Sequence, residues 1–260
     1  MLRRINWSKF HAIPSNSELS RISGAALRRL SCPGRRALFA TSWDKRTTLL
    51  FQVPESTVKK LLPEGWESAP LAQGVNLQVV FAESILVRYA DGKTDGNDRV
   101  VTWVVPAKRK DGGDKGAMVA GGFISSREKA PGPYGAWSPA ASAVFTRNSS
   151  TTIDGQPQVR ETWEFGSDVG DTLNFEVEFE AGPLSYGKAD SKVFSAVRDG
   201  FYRVYRIEQA SETIPATDAR IRSLIFRAKG PNLSTLFDGS ERLVGVSSVP
   251  WFSRQIFLPK

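Results

Sequence analysis

Arg127, Glu128 and Lys129 stand side by side, and Tyr134 follows five residues after Lys129. Together they offer a guanidinium for an anionic oxygen, a carboxylate that can take a proton, an amine, and a phenol that can donate a hydrogen bond. The amine is a nucleophile only if burial or a neighbouring cation lowers its pKa. Fully solvated, the same residues are an ordinary charged surface cluster. His11 and Cys32 are the sole histidine and cysteine. An intrachain disulfide is therefore excluded, and a Cys/His zinc site is disfavoured. A histidine-based triad would have to draw on the least domain-like part of the chain. Acid–base work, if there is any, falls to Lys, Glu, Asp or Tyr.

The elements around this cluster predict where it sits. A small, apolar, strand-like run from Ala117 passes Gly121-Gly122 and Phe123 and ends at Ile124, and Pro131-Gly132-Pro133 follows the charges. A strand that ends in charges and then a Pro/Gly turn places them at a rim or cavity mouth. Adjacent strand residues point to opposite faces, so Arg127 and Glu128 are not expected to line one cavity together.

Further along the chain, Thr47–Val53 reads as a buried strand. Pro54-Glu55-Ser56 then opens a short helix over Thr57–Leu62, closed by Pro63-Glu64-Gly65. Strands are expected within Val75–Leu86, Val100–Val105, Ala219–Ala228 and Val244–Leu258, with a hairpin loop at Lys108–Lys115. Ala143–Arg147 and Val159–Phe165 pair around Asp154-Gly155. Asn174–Glu180 alternates Phe and Val with Asn and Glu, as a half-buried strand does. Asp190–Ile207 interleaves aromatics with Arg198, Arg203 and Arg206, and its pattern fits helix and strand alike.

The net charge of +8 is confined to one end. Residues 1–46 hold ten of the 35 Lys and Arg but two of the 27 acids, so the remainder balances to zero. A nucleic-acid-binding core would carry its own basic face; binding through residues 1–46 alone would be strongly salt-dependent. This segment has the composition of a mitochondrial presequence. It also fits an ordinary helix, capped by Ser15-Asn16-Ser17-Glu18 and carrying Leu19, Ile22, Ala26 and Leu30 at helical spacing. No apolar run reaches the roughly 20 residues of a membrane span, and no secretory h-region follows the early arginines.

Three stretches resemble acetoacetate decarboxylases, in the same chain order. Ser126-Arg127-Glu128, four residues, then Pro133-Tyr134-Gly135 is similar to the family's Schiff-base segment G-R-E-x-x-x-x-P-K-K, with Tyr134 in place of the reactive lysine. The strand and V-P-E-x-x-V-x-x-L-L-P-E-G from Val53 is similar to one near the family's start. Gly230-Pro231 through Leu236-Phe237-Asp238 is similar to one before its last strand. The resemblance implies an α+β, mainly antiparallel β fold, a β-cone or barrel with a few peripheral helices, over residues 47–260, with residues 1–46 as a basic extension. It also implies an apolar interior cavity, homo-oligomerisation and a small-molecule carbonyl substrate. No cofactor, nucleic-acid partner or membrane span is expected.

The family's chemistry needs an amine that is neutral near pH 7, and a tyrosine forms no imine. The family's other groups fall on Asp44 (for an arginine), Gln78 and, loosely, Asp91 (for glutamates). The expectation is an enzyme of secondary metabolism, a lyase or a cyclase or other isomerase, acting without a Schiff base on a larger carbonyl compound. Tyr134 would be the proton or hydrogen-bond donor, Glu128 the base and Arg127 the anion holder, with Gln78, Lys129 and Phe123 at the substrate. Three alternatives remain: a decarboxylase of a β-keto acid using Lys129 as a displaced amine, a lipophilic-ligand binder without turnover, and a nucleic-acid binder through residues 1–46. The compartment expected is the cytoplasm, or the mitochondrion if residues 1–46 are a presequence.

Overall fold

Apolar and β-branched residues recur with period two along most of the chain, and strands follow that pattern. The computed structural model describes residues 37–259 apart from Asp154 and Gln156. The presequence and helix readings, His11 and Cys32 therefore lie outside the described residues, as does Asp154 of the hairpin turn. In chain order the strands are β1 (Leu38–Gln52), β2 (Trp66–Ser68), β3 (Leu77–Tyr89), β4 (Thr94–Asp95), β5 (Asp98–Arg109), β6 (Lys115–Ile124) and β7 (Trp137–Thr151). They continue as β8 (Pro157–Ser167), β9 (Thr172–Glu180), β10 (Ser185–Ser195), β11 (Tyr202–Pro215), β12 (Ile221–Lys229) and β13 (Arg242–Phe257). Among the described residues one α-helix, α1 (Glu55–Leu61), starts just after Pro54, whose φ of −54° is preset for that role, and ends before Pro63.

Hydrogen bonding runs β6–β10–β11–β13–β1–β3–β5, and β5 pairs back onto β6, so these strands close a ring. A second layer, β7–β8–β9–β12, is joined to it through the parallel β6–β7 pairing and covers the outer face of β1, β3 and β5. Between the layers lies an aromatic core. Phe81 stacks on Phe175 at 5.2 Å and meets Trp163 at 5.6 Å, and Phe51 packs on Phe226 and Phe237 at 5.1 and 5.7 Å. Each such ring, taken fully out of water, contributes about 1.5–3 kcal/mol. Buried Glu161 of β8 ties the layers together by accepting from Thr47 of β1 at 2.5 Å and from Arg147. The segment from Gly230 to Asp238 is held from beneath by buried Asp171. Its carboxylate accepts from Asn232 N and Nδ2 (3.0 and 2.7 Å) and from Leu233 N.

Two differences from the sequence reading bear on the site. The strand expected from Thr47 begins at Leu38, so residues 38–46, read above within the basic extension, are strand. Their polar residues hid the alternation, because Ser42, Asp44 and Arg46 sit along a wall that is itself polar. Asp190–Ile207 resolves as strands, β10 turning into β11. Among the described residues no helix is long and apolar enough to cross a membrane.

Candidate functional site

Ala40, Asp44, Arg46, Thr48 and Leu50 of β1 face the inside of the ring, while Thr47, Leu49 and Phe51 face the aromatic core. Alternation of this kind is what a closed ring of strands imposes. The inside is a cavity of about 960 Å³ with a largely aliphatic lining, including Val80, Val100, Val104, Ile124 and Ile207. It is of a size for a drug-sized molecule, which pockets of roughly 300–1,000 Å³ accommodate.

Polar groups form a belt at one level of that wall. The register pairs Asp98 with Ser84, Ser84 with Asp44, Asp44 with Phe252 and Phe252 with Gln209. Asp44, 2 % exposed, accepts from Arg46 Nε and Nη2 at 3.2 and 2.6 Å, and Arg254 Nη2 lies 3.8 Å away. Arg254 also donates to Ser42 Oγ at 2.9 Å and lies over the Tyr205 ring at 4.7 Å. Arg46 sits 3.5 Å over Phe252. Burial lowers the Arg46 pKa; for Arg254 burial is outweighed by Tyr205, Asp44 and Tyr134, and its pKa rises.

The segment between β6 and β7 spans the ring from the β4–β5 side to the β10–β11 side. At one end Lys129 donates to Asp95 Oδ1 and Asp98 Oδ2, both at 2.6 Å, and Ser126 bonds Asp98. At the other, Tyr134 is buried with its hydroxyl hydrogen-bonded to that of Tyr205. Ser195 Oγ donates to the Tyr134 carbonyl at 2.6 Å, and Arg198 to the Pro133 carbonyl at 2.7 Å. The turn between needs Gly132: its φ is +72°, and a Cβ there would run into the Trp137 ring. Burial, reinforced by Tyr205, pushes the Tyr134 phenol well above its ordinary value, against the pull of Arg254 and Arg203. It is therefore a protonated donor at neutral pH.

Of the sequence-predicted residues, Tyr134, Lys129 and Gln78 line this cavity, whereas Arg127, Glu128 and Phe123 do not. Arg127–Lys129 is a 3-10 turn rather than the end of a strand. At three residues per turn its side chains fan apart, and Lys129 is the one that reaches inward. Arg127 is exposed and paired with Asp168 (2.6 and 2.8 Å), and Glu128 is exposed. Phe123 faces the aromatic core, 5.6 Å from Trp103. The cause is a bulge: Trp103 pairs Gly121 while Val104 pairs Val119, so Ala120 is the extra residue. One inserted residue exchanges the faces of everything after it. The sequence reading did not single out Tyr205, Arg203, Arg254 or Arg46 as site residues. The signal available was the two-residue spacing of Arg203 and Tyr205.

Two carboxylates hold Lys129 in this setting. Burial alone would depress its pKa, but the hydrogen bonds it donates to Asp95 and Asp98 outweigh it and the net direction is up. That argues against the displaced-amine alternative. The same contact lowers Asp95, chiefly through the Lys129 hydrogen bond. The clamp's contribution is thus complete above the unfolded carboxylate value near ~4 and is lost as pH falls through Asp95's folded value. On the lysine side it is complete below about 10.4 and is lost as pH rises through the higher folded value. Lys129→Met is expected to cost about 1–2 kcal/mol, a modest figure because Lys129 and Asp95 are 27 % and 35 % exposed. Urea melts of both proteins against pH check it. The difference should be flat from about pH 5 to 9 and shrink outside that window; a gap of the same size at pH 3 would deny the ion pairs their role.

No family model matches the sequence, and no curated protein matches it. Among solved structures, the enduracididine biosynthesis enzyme MppR with HEPES buffer bound is 11% identical with a TM-score of 0.55, the match covering 88% of this chain and 96% of that one. MppR complexed with pyruvate is 13% identical, TM-score 0.52, covering 88% and 90%. An acetoacetate decarboxylase-like enzyme from Sphingomonas wittichii RW1 is 11% identical, TM-score 0.47, covering 85% and 91%. The chain has the mainly β, acetoacetate decarboxylase-like fold expected from its sequence.

Proposed function

We propose that this acetoacetate decarboxylase-like fold houses an enzyme of secondary metabolism that works on a carbonyl compound inside the ring without forming an imine. The reaction class is isomerisation, cyclisation or dehydration. The observation that carries the reading is the Tyr134–Tyr205 hydroxyl pair. It stands on the segment where the resembled family keeps its reactive lysine, and the one lysine that lines the cavity among the described residues is tied down by two carboxylates. A protonated phenol backed by a second hydroxyl donates to a carbonyl oxygen. The same donor stabilises negative charge that develops on that oxygen. Placed in an aliphatic cavity, such a donor is worth more than in water. The cavity volume suits a substrate larger than acetoacetate. MppR structures hold pyruvate in one case and a condensation product of pyruvate and imidazole 4-carboxaldehyde in another, carbonyl chemistry of the same general kind. Glu128 and Arg127, turned outward, take no part in this scheme.

The test is borohydride reduction in the presence of a panel of oxo acids and aldehydes, read by intact mass and peptide mapping alongside product analysis. The expected result is product from at least one compound with no adduct on any lysine. A reduced adduct on Lys129, absent in Lys129→Ala, would restore amine catalysis. Tight binding with no product from any compound would leave the cavity a ligand carrier, a role its aliphatic lining also fits.

A further inference from the structure

The cavity's walls differ in charge. Its charged side chains come from β1, β4, the start of β5, the Lys129 turn, β11 and β13. Most of them engage one another: Arg46 and Arg254 share Asp44, and Lys129 takes Asp95 and Asp98. Among the described residues, β5 beyond Asp98, β6 and β10 add no ionisable side chain to the lining. Tyr134 and Tyr205 are packed into one buried cluster with Val104, Val119 and Val193, and Val80 lies against it. The register sets these valines in a line. Val193 runs beside Ala117, two residues before Val119 on the same face; Val119 pairs Val104, and Val104 pairs Gln78, two residues before Val80. Neighbouring strands lie about 4.8 Å apart, so the steps from β10 through β6 and β5 to β3 make a track of roughly 14 Å. Leu50, paired with Gln78, continues it onto β1. The loop from Leu71 to Gly74 lines the cavity there too, with Gly74 against the Gln52 side chain and Leu71 47 % exposed at the rim.

We infer that the carbonyl group held at the hydroxyl pair belongs to an aliphatic ketone or aldehyde whose uncharged chain lies along Val193, Val119, Val104 and Val80 towards Leu50 and Leu71. This deepens the proposed function, resting on it for the carbonyl, and adds the rest of the substrate. A charged or hydroxylated chain laid on the valines would give up its hydration without gaining partners, whereas each methylene gains by leaving water. The valines thus select the length and polarity of the chain, and the hydroxyl pair selects the end that carries the oxygen.

A series of 2-pentanone, 2-heptanone, 2-nonanone and 2-undecanone tests this. Each Kd is measured by equilibrium dialysis against the full-length protein, with free ketone read by headspace gas chromatography. In the wild type Kd is expected to fall about threefold for each added methylene. Val80→Trp, which fills the far part of the track, should leave 2-pentanone within about threefold of the wild type and abolish the gain beyond 2-heptanone. Ile85→Gln, which removes an exposed apolar side chain outside the cavity, should leave the whole series unchanged. A series unaltered by Val80→Trp overturns the inference. So does one weakened by Ile85→Gln, which would place the chain on the outer surface. If Val80→Trp does not fold, Val80→Asn carries the test. An amide on the track should cut the gain per methylene beyond 2-heptanone by about half or more, and an unaltered series again overturns it. Ketones bound equally whatever their length defeat the chain track but spare the carbonyl reading. Binding of none defeats both. A chain-length gain set by Val80, without turnover of any carbonyl compound, upholds the track and defeats the catalytic reading.

Discussion

Tyr134→Phe is expected to slow conversion of a carbonyl substrate by two to three orders of magnitude while its Kd stays within about threefold. This is the pattern of a donor whose bond strengthens as charge develops on the oxygen. Phenylalanine keeps the ring, which meets Trp137 at 6.4 Å and Phe201 at 5.8 Å edge-on. The fold should therefore lose only the hydroxyl pair and the satisfaction of Tyr205, about 1–2 kcal/mol. Because the two hydroxyls act as one donor, Tyr205→Phe should show a similar loss, and the double variant little more than either alone. The pH profile adds a sign. The active form is the protonated phenol, and its pKa lies well above the usual tyrosine value. Activity should therefore persist through about pH 10, where an ordinary tyrosine would be half ionised. Single-turnover rates and calorimetry on the same preparations decide it. Wild-type rates in Tyr134→Phe would reduce the pair to a packing contact, whatever the cavity binds.

What the sequence made legible follows from which signals are local. Gly and Pro spacing and the charged run marked the segment between β6 and β7, and the gapless frame through Pro133 pointed to Tyr134, which lines the cavity. Alternation exposed Asn174–Glu180, whose Phe175, Val177 and Phe179 are buried as predicted. The rest of the belt was hidden because its residues are polar where a strand reading expects apolar ones. Asp44 and Arg46 broke the alternation of β1, and Arg203 and Tyr205 left β11 ambiguous between helix and strand. Phe123 was placed on the wrong face for a different reason. A bulge is set by pairing with β5, a partner far off in the chain, and no pattern within Ala117–Ile124 announces it. Arg127 and Glu128 were assigned by motif, and a motif gives spacing without the turn that decides where each side chain points.

The belt's stability gives the other large effect. Asp44→Ala should cost about 3–5 kcal/mol, the loss expected when one partner of a buried ion pair is removed and its cations stay behind. Arg46 would lose its hydrogen bonds at 2.6 and 3.2 Å while remaining packed over Phe252, and Arg254 would lose its only nearby carboxylate among the described residues. At roughly 2–4 °C per kcal/mol for a domain of this size, Tm should fall by about 10 °C. Asp44→Asn, which keeps the shape and one acceptor, should fall between. Asp44→Ala combined with Arg46→Met should be less destabilised than Asp44→Ala alone, since the second change takes the stranded charge away. Additive losses in thermal melts would mean that the three groups are not coupled and that packing alone holds β1. Coupling has a functional consequence as well. In the resembled family the position of Asp44 aligns with an arginine. Here the carboxylate stands on β1 and the guanidiniums come from β1 and β13, so the sign of the charge at that wall position is inverted. Asp44 lies beside the arginine that sits over the Tyr205 ring and offsets its charge there.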